Sequence, residues 1–119
     1  MIHRKACDVE EFVTKDGSRV RELIHPSSVP AERLSLALAV VGTGESTRRH
    51  LHRRSEEIYY VLGGRGVVHV GEEKAEVEAG DAVLIPPGTP HFAVNTGEEE
   101  LVILCACSPA YSHEDTVLL

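Results

Sequence analysis

With 119 residues, 42% apolar and 26% charged, the chain has the proportions of one globular domain with a single core, spanning 1–119. A formal charge of −7, from 19 acidic and 12 basic side chains, argues against a nucleic-acid partner, because phosphate neutralisation needs a basic surface. No apolar run nears the ~20 residues that span a bilayer, and "MIHRKACDVEEF" lacks the apolar stretch of a secretory signal. A cytoplasmic protein without a membrane role is expected.

Strand signals begin near the N-terminus, where residues 1–30 read as a hairpin arm. "EFVTK" and "SRVREL" flank Asp16-Gly17, a two-residue type I′ turn signal. "HPSSVP" is a turn-rich break. "VPAERLSLAL" has Pro and Ala near a possible helix start, but its alternation suits a strand equally well. "RLSLALAVVGTG" alternates and then runs apolar. "EEIYYVL" ends in "GGRG", "VVHV" runs into "GEEK", and "AEVEAGD" leads into "AVLIPPGTP". "HFAVN" and "LVILCAC" are joined by "TGEEE", and the polar-then-apolar tail over 108–119 reads as a C-terminal arm or a partner contact. Short strands at regular spacing with turn chemistry between them predict an all-β sandwich or barrel.

Three cysteines, Cys7, Cys105 and Cys107, cannot pair completely, which fits a reducing compartment. "CAC" lacks the two-residue spacer of the usual zinc and redox pairs and closes an apolar run. Its thiols read as small buried hydrophobes.

The titratable residues gain meaning once placed on strands, where side chains two apart share a face. His50 and His52 then point the same way, and Glu57, Tyr59 and Val61 share a face of the next strand. Glu56 has the opposite parity to Glu57. After the reversal at Pro86-Pro87-Gly88, His91, Ala93 and Asn95 share a face, with Phe92 on the other. If those faces meet in one interior, they assemble three imidazoles and a carboxylate. Imidazole suits Zn, Fe and Ni, and a carboxylate admits Mn, so one divalent transition metal per chain is expected. Arg48 shares the parity of His50, and Arg21 reaches the same cavity if the N-terminal hairpin packs over its mouth. Guanidinium groups there would suit an anionic substrate, with Tyr59 as a further substrate contact. His69 reads as a plain strand residue, Asn95 as a structural tie, and His3, His25 and His113 lie outside the set.

The segment "GESTRRHLHRRSEEIYYVLGG" resembles the first cupin motif, Gly-x5-His-x-His-x4-Glu-x6-Gly, with Gly44, His50, His52, Glu57 and Gly64 in the family positions. "GDAVLIPPGTPHFAVN" resembles the second, Gly-x5-Pro-x-Gly-x2-His-x3-Asn, with Gly80, Pro86, Gly88, His91 and Asn95 in place. The motifs occupy 44–64 and 80–95, and fifteen residues separate Gly64 from Gly80, like the short spacer of small microbial cupins. The resemblance implies a double-stranded β-helix, or jelly-roll, barrel. It implies a metal held by His50, His52, Glu57 and His91, and a homodimer formed through exchanged or augmented edge strands.

Function is narrowed less far. One expectation is a metal-dependent enzyme acting on a small molecule, either as an oxygenase or by an isomerase or lyase step. The proton-transfer version lacks an assigned base, because Glu57 is committed to the metal. The alternative is a binding module that holds a sugar or an anion without turnover. A metal that only stiffens the barrel ranks last.

Overall fold

The computed structural model describes residues 1–119 and contains eleven strands with one short 3-10 turn, Ala6–Asp8. In chain order the strands are β1 Phe12–Val13, β2 Arg19–Ile24, β3 Ser35–Val41, β4 His50–His52, β5 Glu56–Gly63 and β6 Arg65–Val70. They continue with β7 Glu73–Glu78, β8 Ala82–Ile85, β9 His91–Asn95, β10 Leu101–Ser108 and β11 Thr116–Leu118. Two antiparallel sheets result, ordered β1-β2-β3-β10-β5-β8 and β11-β4-β9-β6-β7. This double-sheet architecture is the expected jelly-roll barrel. No helix is long and apolar enough to cross a membrane.

The ambiguous "RLSLALAVV" segment is strand: β3 pairs with β10 along seven residues, and its inward Ser35, Ala39 and Val41 are buried. Period-two alternation is therefore the signal that decides this segment. β5 alternates without a break from Glu56 to Leu62, exposed then buried, which sends Glu57, Tyr59 and Val61 inward. Between the sheets these residues meet Val68, Val77, Ile85, Ala93, Leu101 and Ile103 to form the apolar core. The β5–β6 reversal rests on Gly64, whose φ is +80° and whose absent Cβ would lie 2.3 Å from the Glu100 carbonyl oxygen. No other residue fits there, which explains the last glycine of the first motif.

Both ends of the chain fold back onto the barrel. β1 and β2 form the expected hairpin, although its connection spans Thr14–Ser18 and is longer than a two-residue turn. Within it, Gly17 adopts φ +90° and its N–H bonds the Thr14 carbonyl. The tail pairs with the histidine strand: Thr116 lies opposite His52 and Leu118 opposite His50. Lys15 ties the two ends together by donating to the carbonyls of His113 at 2.8 Å and Thr116 at 3.0 Å.

Candidate metal centre

Three imidazoles converge at one end of the core. β4 presents His50 and His52 inward, 2% and 4% exposed, and the β4–β9 pairing sets His91 directly opposite His50. One ring nitrogen from each lies within 4.8 Å of the others, so the three could hold a metal ion. Their hydrogen bonds fix which nitrogen is free. His50 Nδ1 donates to the Arg48 carbonyl at 2.6 Å, and His91 Nδ1 to the Thr89 carbonyl at 2.9 Å. Thr116 Oγ1 gives its own proton to the Ser112 carbonyl, so it accepts from His52 Nδ1 at 2.9 Å. All three Nδ1 atoms are thus donors, and the Nε2 lone pairs are left facing inward, which is the tautomer that ligates metal.

Glu57 enters from the opposite sheet. Its Oε1 lies 3.2 Å from His52 Nε2 and 3.4 Å from His91 Nε2. These contacts lack hydrogen-bond geometry: Glu57 Oε1 and His91 Nε2 are buried polar atoms with no partner. Buried lone pairs pointed at one another are unfavourable unless a cation sits among them. The other oxygen, Oε2, accepts from the buried Cys107 thiol at 3.2 Å. Burial works against ionisation of Glu57, and it takes positive charge on the His52 and His91 side, a proton or a metal ion, to hold its carboxyl low. Burial and the neighbouring His91 both lower the pKa of His50, which favours its neutral, ligating form. The donor set, three neutral imidazoles and one carboxylate, therefore fits a borderline divalent transition metal.

The cavity in front of this cluster is lined by twenty residues, ten of them apolar, including Val20, Ala37, Ala39 and Ile103. Asp16, Glu22 and Glu57 line it as well, and no Lys or Arg does. Tyr59 faces in as its parity predicts, buried and with its ring 6.0 Å from that of His91. Burial, with the Glu57 charge adding to it, raises the Tyr59 pKa, so its hydroxyl keeps its proton.

The two arginines are placed elsewhere, which corrects the expectation that they enter the cavity. β4 begins only at His50, so the parity of that strand does not extend back to Arg48: Thr47 turns inward and Arg48 is exposed. On β2 the inward residues are Val20 and Glu22, which puts Arg21 on the outer face opposite Leu38. His69 stacks on Phe92 at 4.2 Å, on the outer face of its sheet. Asn95 is a structural tie, donating to the Val41 and Glu99 carbonyls and accepting from the Gly97 N–H.

Several cavity residues escape sequence reasoning. Asp16 reads as a turn residue, Thr116 and Tyr111 as part of a polar tail, and Cys105 and Cys107 as core. The thiols do face inward, as buried hydrophobes would, but they face the site. A signal was present for the cysteines: in the β5–β10 register Cys107 lies opposite Glu57 and Cys105 opposite Tyr59. No such pattern marks Asp16 or Thr116, whose positions follow from how the two chain ends fold back.

A jelly-roll barrel with three convergent histidines on one sheet and a carboxylate on the other defines a class. Residues 37–107 match the cupin domain family, and the chain belongs to that family. It is 50% identical over 111 residues to an uncharacterized protein of Methanocaldococcus jannaschii, covering 93% of this chain and 89% of that one. It is 32% identical to the polyketide synthase protein CurC of Streptomyces cyaneus, covering 94% and 77% of the two chains. The structure of the polyketide cyclase RemF from Streptomyces resistomycificus superposes with a TM-score of 0.79 at 25% identity, covering 97% of this chain and 89% of that one.

Proposed function

We propose that this cupin is a metal-dependent enzyme that moves a proton on a small, uncharged, oxygen-bearing substrate. The observation that carries the reading is the cluster itself: three buried imidazoles with Nε2 free, and Glu57 Oε1 and His91 Nε2 buried without partners. His50, His52, His91 and Glu57 would hold one divalent ion. When bound, that ion supplies Lewis-acid polarisation of a carbonyl or hydroxyl oxygen. Tyr59 keeps its proton and offers a hydrogen bond to the same substrate. Glu22, which lines the cavity from β2 with its Oε2 3.9 Å from His25 Nδ1, is the carboxylate we assign to accept the proton, filling the role left open by the commitment of Glu57 to the metal.

An uncharged substrate follows from the lining. Three carboxylates around one divalent ion leave the cavity negative, with no guanidinium to receive an anion. Ten apolar lining residues favour a carbon skeleton with few charges. The likeness to CurC and to the cyclase RemF agrees with a polyketone-like substrate and with proton transfer over oxygenation. The test is deuterium exchange at the carbon next to the carbonyl of small diketones in D₂O, followed by NMR. Metal-loaded protein is expected to accelerate exchange and a Glu22→Gln variant to lose it. Ligand binding without exchange would make the protein a binding module instead.

The homodimer belongs to this reading, and the outer face of the larger sheet offers it a docking surface. The outward side chains of β3, β10, β5 and β8 are apolar apart from Glu56 and Ser108 at one end, and Ile58, Tyr60, Leu62 and Leu84 are 42–58% exposed. On a chain of charge −7, an uncharged apolar face is where a second copy can dock without like-charge repulsion. Sedimentation should report a dimer, and Leu84→Glu a monomer; a monomeric wild-type protein would contradict the assignment.

A further inference from the structure

We propose that Asp16, carried by the β1–β2 turn, is an additional donor to the metal and fills one position of the centre from the N-terminal arm. The inference rests on the metal-binding reading of the histidine cluster. It concerns a residue outside the segment that matches the family, residues 37–107.

The geometry of Asp16 repeats that of Glu57. Each carboxylate has one oxygen held by protein donors; the other is turned toward His52 and His91 in Glu57, and toward His50 alone in Asp16. Asp16 Oδ1 accepts from Thr14 Oγ1 at 2.7 Å, from Ser18 Oγ at 2.7 Å and from the Ser18 N–H at 2.9 Å. Oδ2 accepts nothing and lies 3.7 Å from His50 Nε2, with the side chain 15% exposed. That separation is too long for a hydrogen bond. It is the separation of two donors sharing one ion: with metal–ligand bonds of about 2.1 Å, neighbouring donors lie ~3.0 Å apart and opposite ones ~4.2 Å. The Glu57 contacts with His52 and His91, 3.2 Å and 3.4 Å, fall in the same range.

A turn that only needed its own Asx bond would not require the rest of this framework. The Arg48 N–H donates to the Asp16 carbonyl at 2.7 Å, fixing the turn to the residue whose carbonyl orients His50. Lys15 fastens the same turn to the Thr116 carbonyl, and Thr116 orients His52. The turn is therefore held against the backbone that aims two of the three histidines. A carboxylate pinned through one oxygen, with the other directed at a buried imidazole, is how a supported metal ligand is presented.

The test is cobalt(II) binding to wild-type, Asp16→Asn and His52→Ala proteins, read by visible absorption and by competition with a chelator. Asparagine keeps an oxygen for Thr14 and Ser18, so the turn is expected to survive. Asp16→Asn should weaken cobalt affinity at least about tenfold and change the cobalt spectrum. Azide should bind the variant's cobalt more tightly, because no carboxylate must be displaced. The cobalt-dependent rise in melting temperature should shrink in Asp16→Asn while the melting temperature without metal stays the same. A purely structural turn residue would lower both melting temperatures together and leave the spectrum unchanged, and that result would overturn the proposal alone. Wild-type protein that binds no cobalt would overturn the histidine site as well. If Asp16→Asn does not fold, a cobalt-loaded wild-type crystal structure decides: Asp16 Oδ2 at about 2.2 Å from the ion supports the assignment, and a water in its place overturns it.

Discussion

The two walls of the cavity are built by different parts of the chain and in different ways. One wall comes from β4, β5 and β9, where strand pairing and two-residue alternation set His50, His52 and Glu57 at the cavity with His91 buried beside them. The other comes from the two chain ends: the Thr14–Ser18 turn brings Asp16, and the tail brings Tyr111 and Thr116. The first wall carries the donor atoms. The second supports them, since Thr116 sets the tautomer of His52, and adds Asp16 as a donor beside His50. Chemistry placed on rigid paired strands and tuned by folded-back ends lets the tuning vary while the ligands stay fixed.

Breaking the strand wall should have the largest effect. His52→Ala, or His91→Ala, removes a donor and should lower metal affinity by more than the ~100-fold seen when only an orienting partner is lost. Titration with zinc against a fluorescent chelator measures it. Glu57→Gln should come close, because it also leaves the Cys107 thiol without its charged acceptor.

Loosening the terminal wall should cost less. Thr116→Val removes the acceptor for His52 Nδ1 and should weaken metal binding about 10- to 100-fold with the ligands intact. Asp115 anchors the same tail by accepting from the Arg54 and Ser55 N–H groups at 2.9 and 3.1 Å. Asp115→Ala should destabilise the fold by roughly 1–3 kcal/mol, measured by urea unfolding without metal. Burial opposes ionisation of Asp115, but those N–H groups outweigh it and lower its pKa. Its contribution is therefore present above the ordinary carboxylate range and lost as pH falls through the depressed value. The stability gap between wild type and Asp115→Asn should narrow on the acid side and stay constant above pH 6. The smallest effect is expected for Arg48→Ala and Arg21→Ala, which should leave metal affinity within about twofold, since neither side chain lines the cavity.

The same division explains what could be read in advance. The barrel was legible because turn residues punctuate short alternating strands, and the strand wall because a period of two puts His50 with His52 and Glu57 with Tyr59 on common faces. Parity misled where no strand existed: Arg48 precedes β4, so its side chain is not bound to the alternation that follows. On β2 alternation held, but only the paired structure shows that Val20 and Glu22, and not Arg21, face in. Asp16 was legible as a turn former and not as a cavity residue, because its place depends on contacts between the chain ends, 98 and 101 residues apart at Lys15. Local pattern has no access to separations of that kind.

Every role assigned to the cavity depends on the convergent imidazoles holding a metal. The most direct measurement is metal content by inductively coupled plasma mass spectrometry, on anaerobically purified wild-type protein beside His52→Ala, with circular dichroism to show that both are folded. Near one equivalent of a divalent transition metal in the wild type, lost in the variant, is the predicted result. Negligible metal in both, persisting after iron, manganese, zinc and nickel are offered back, would contradict it.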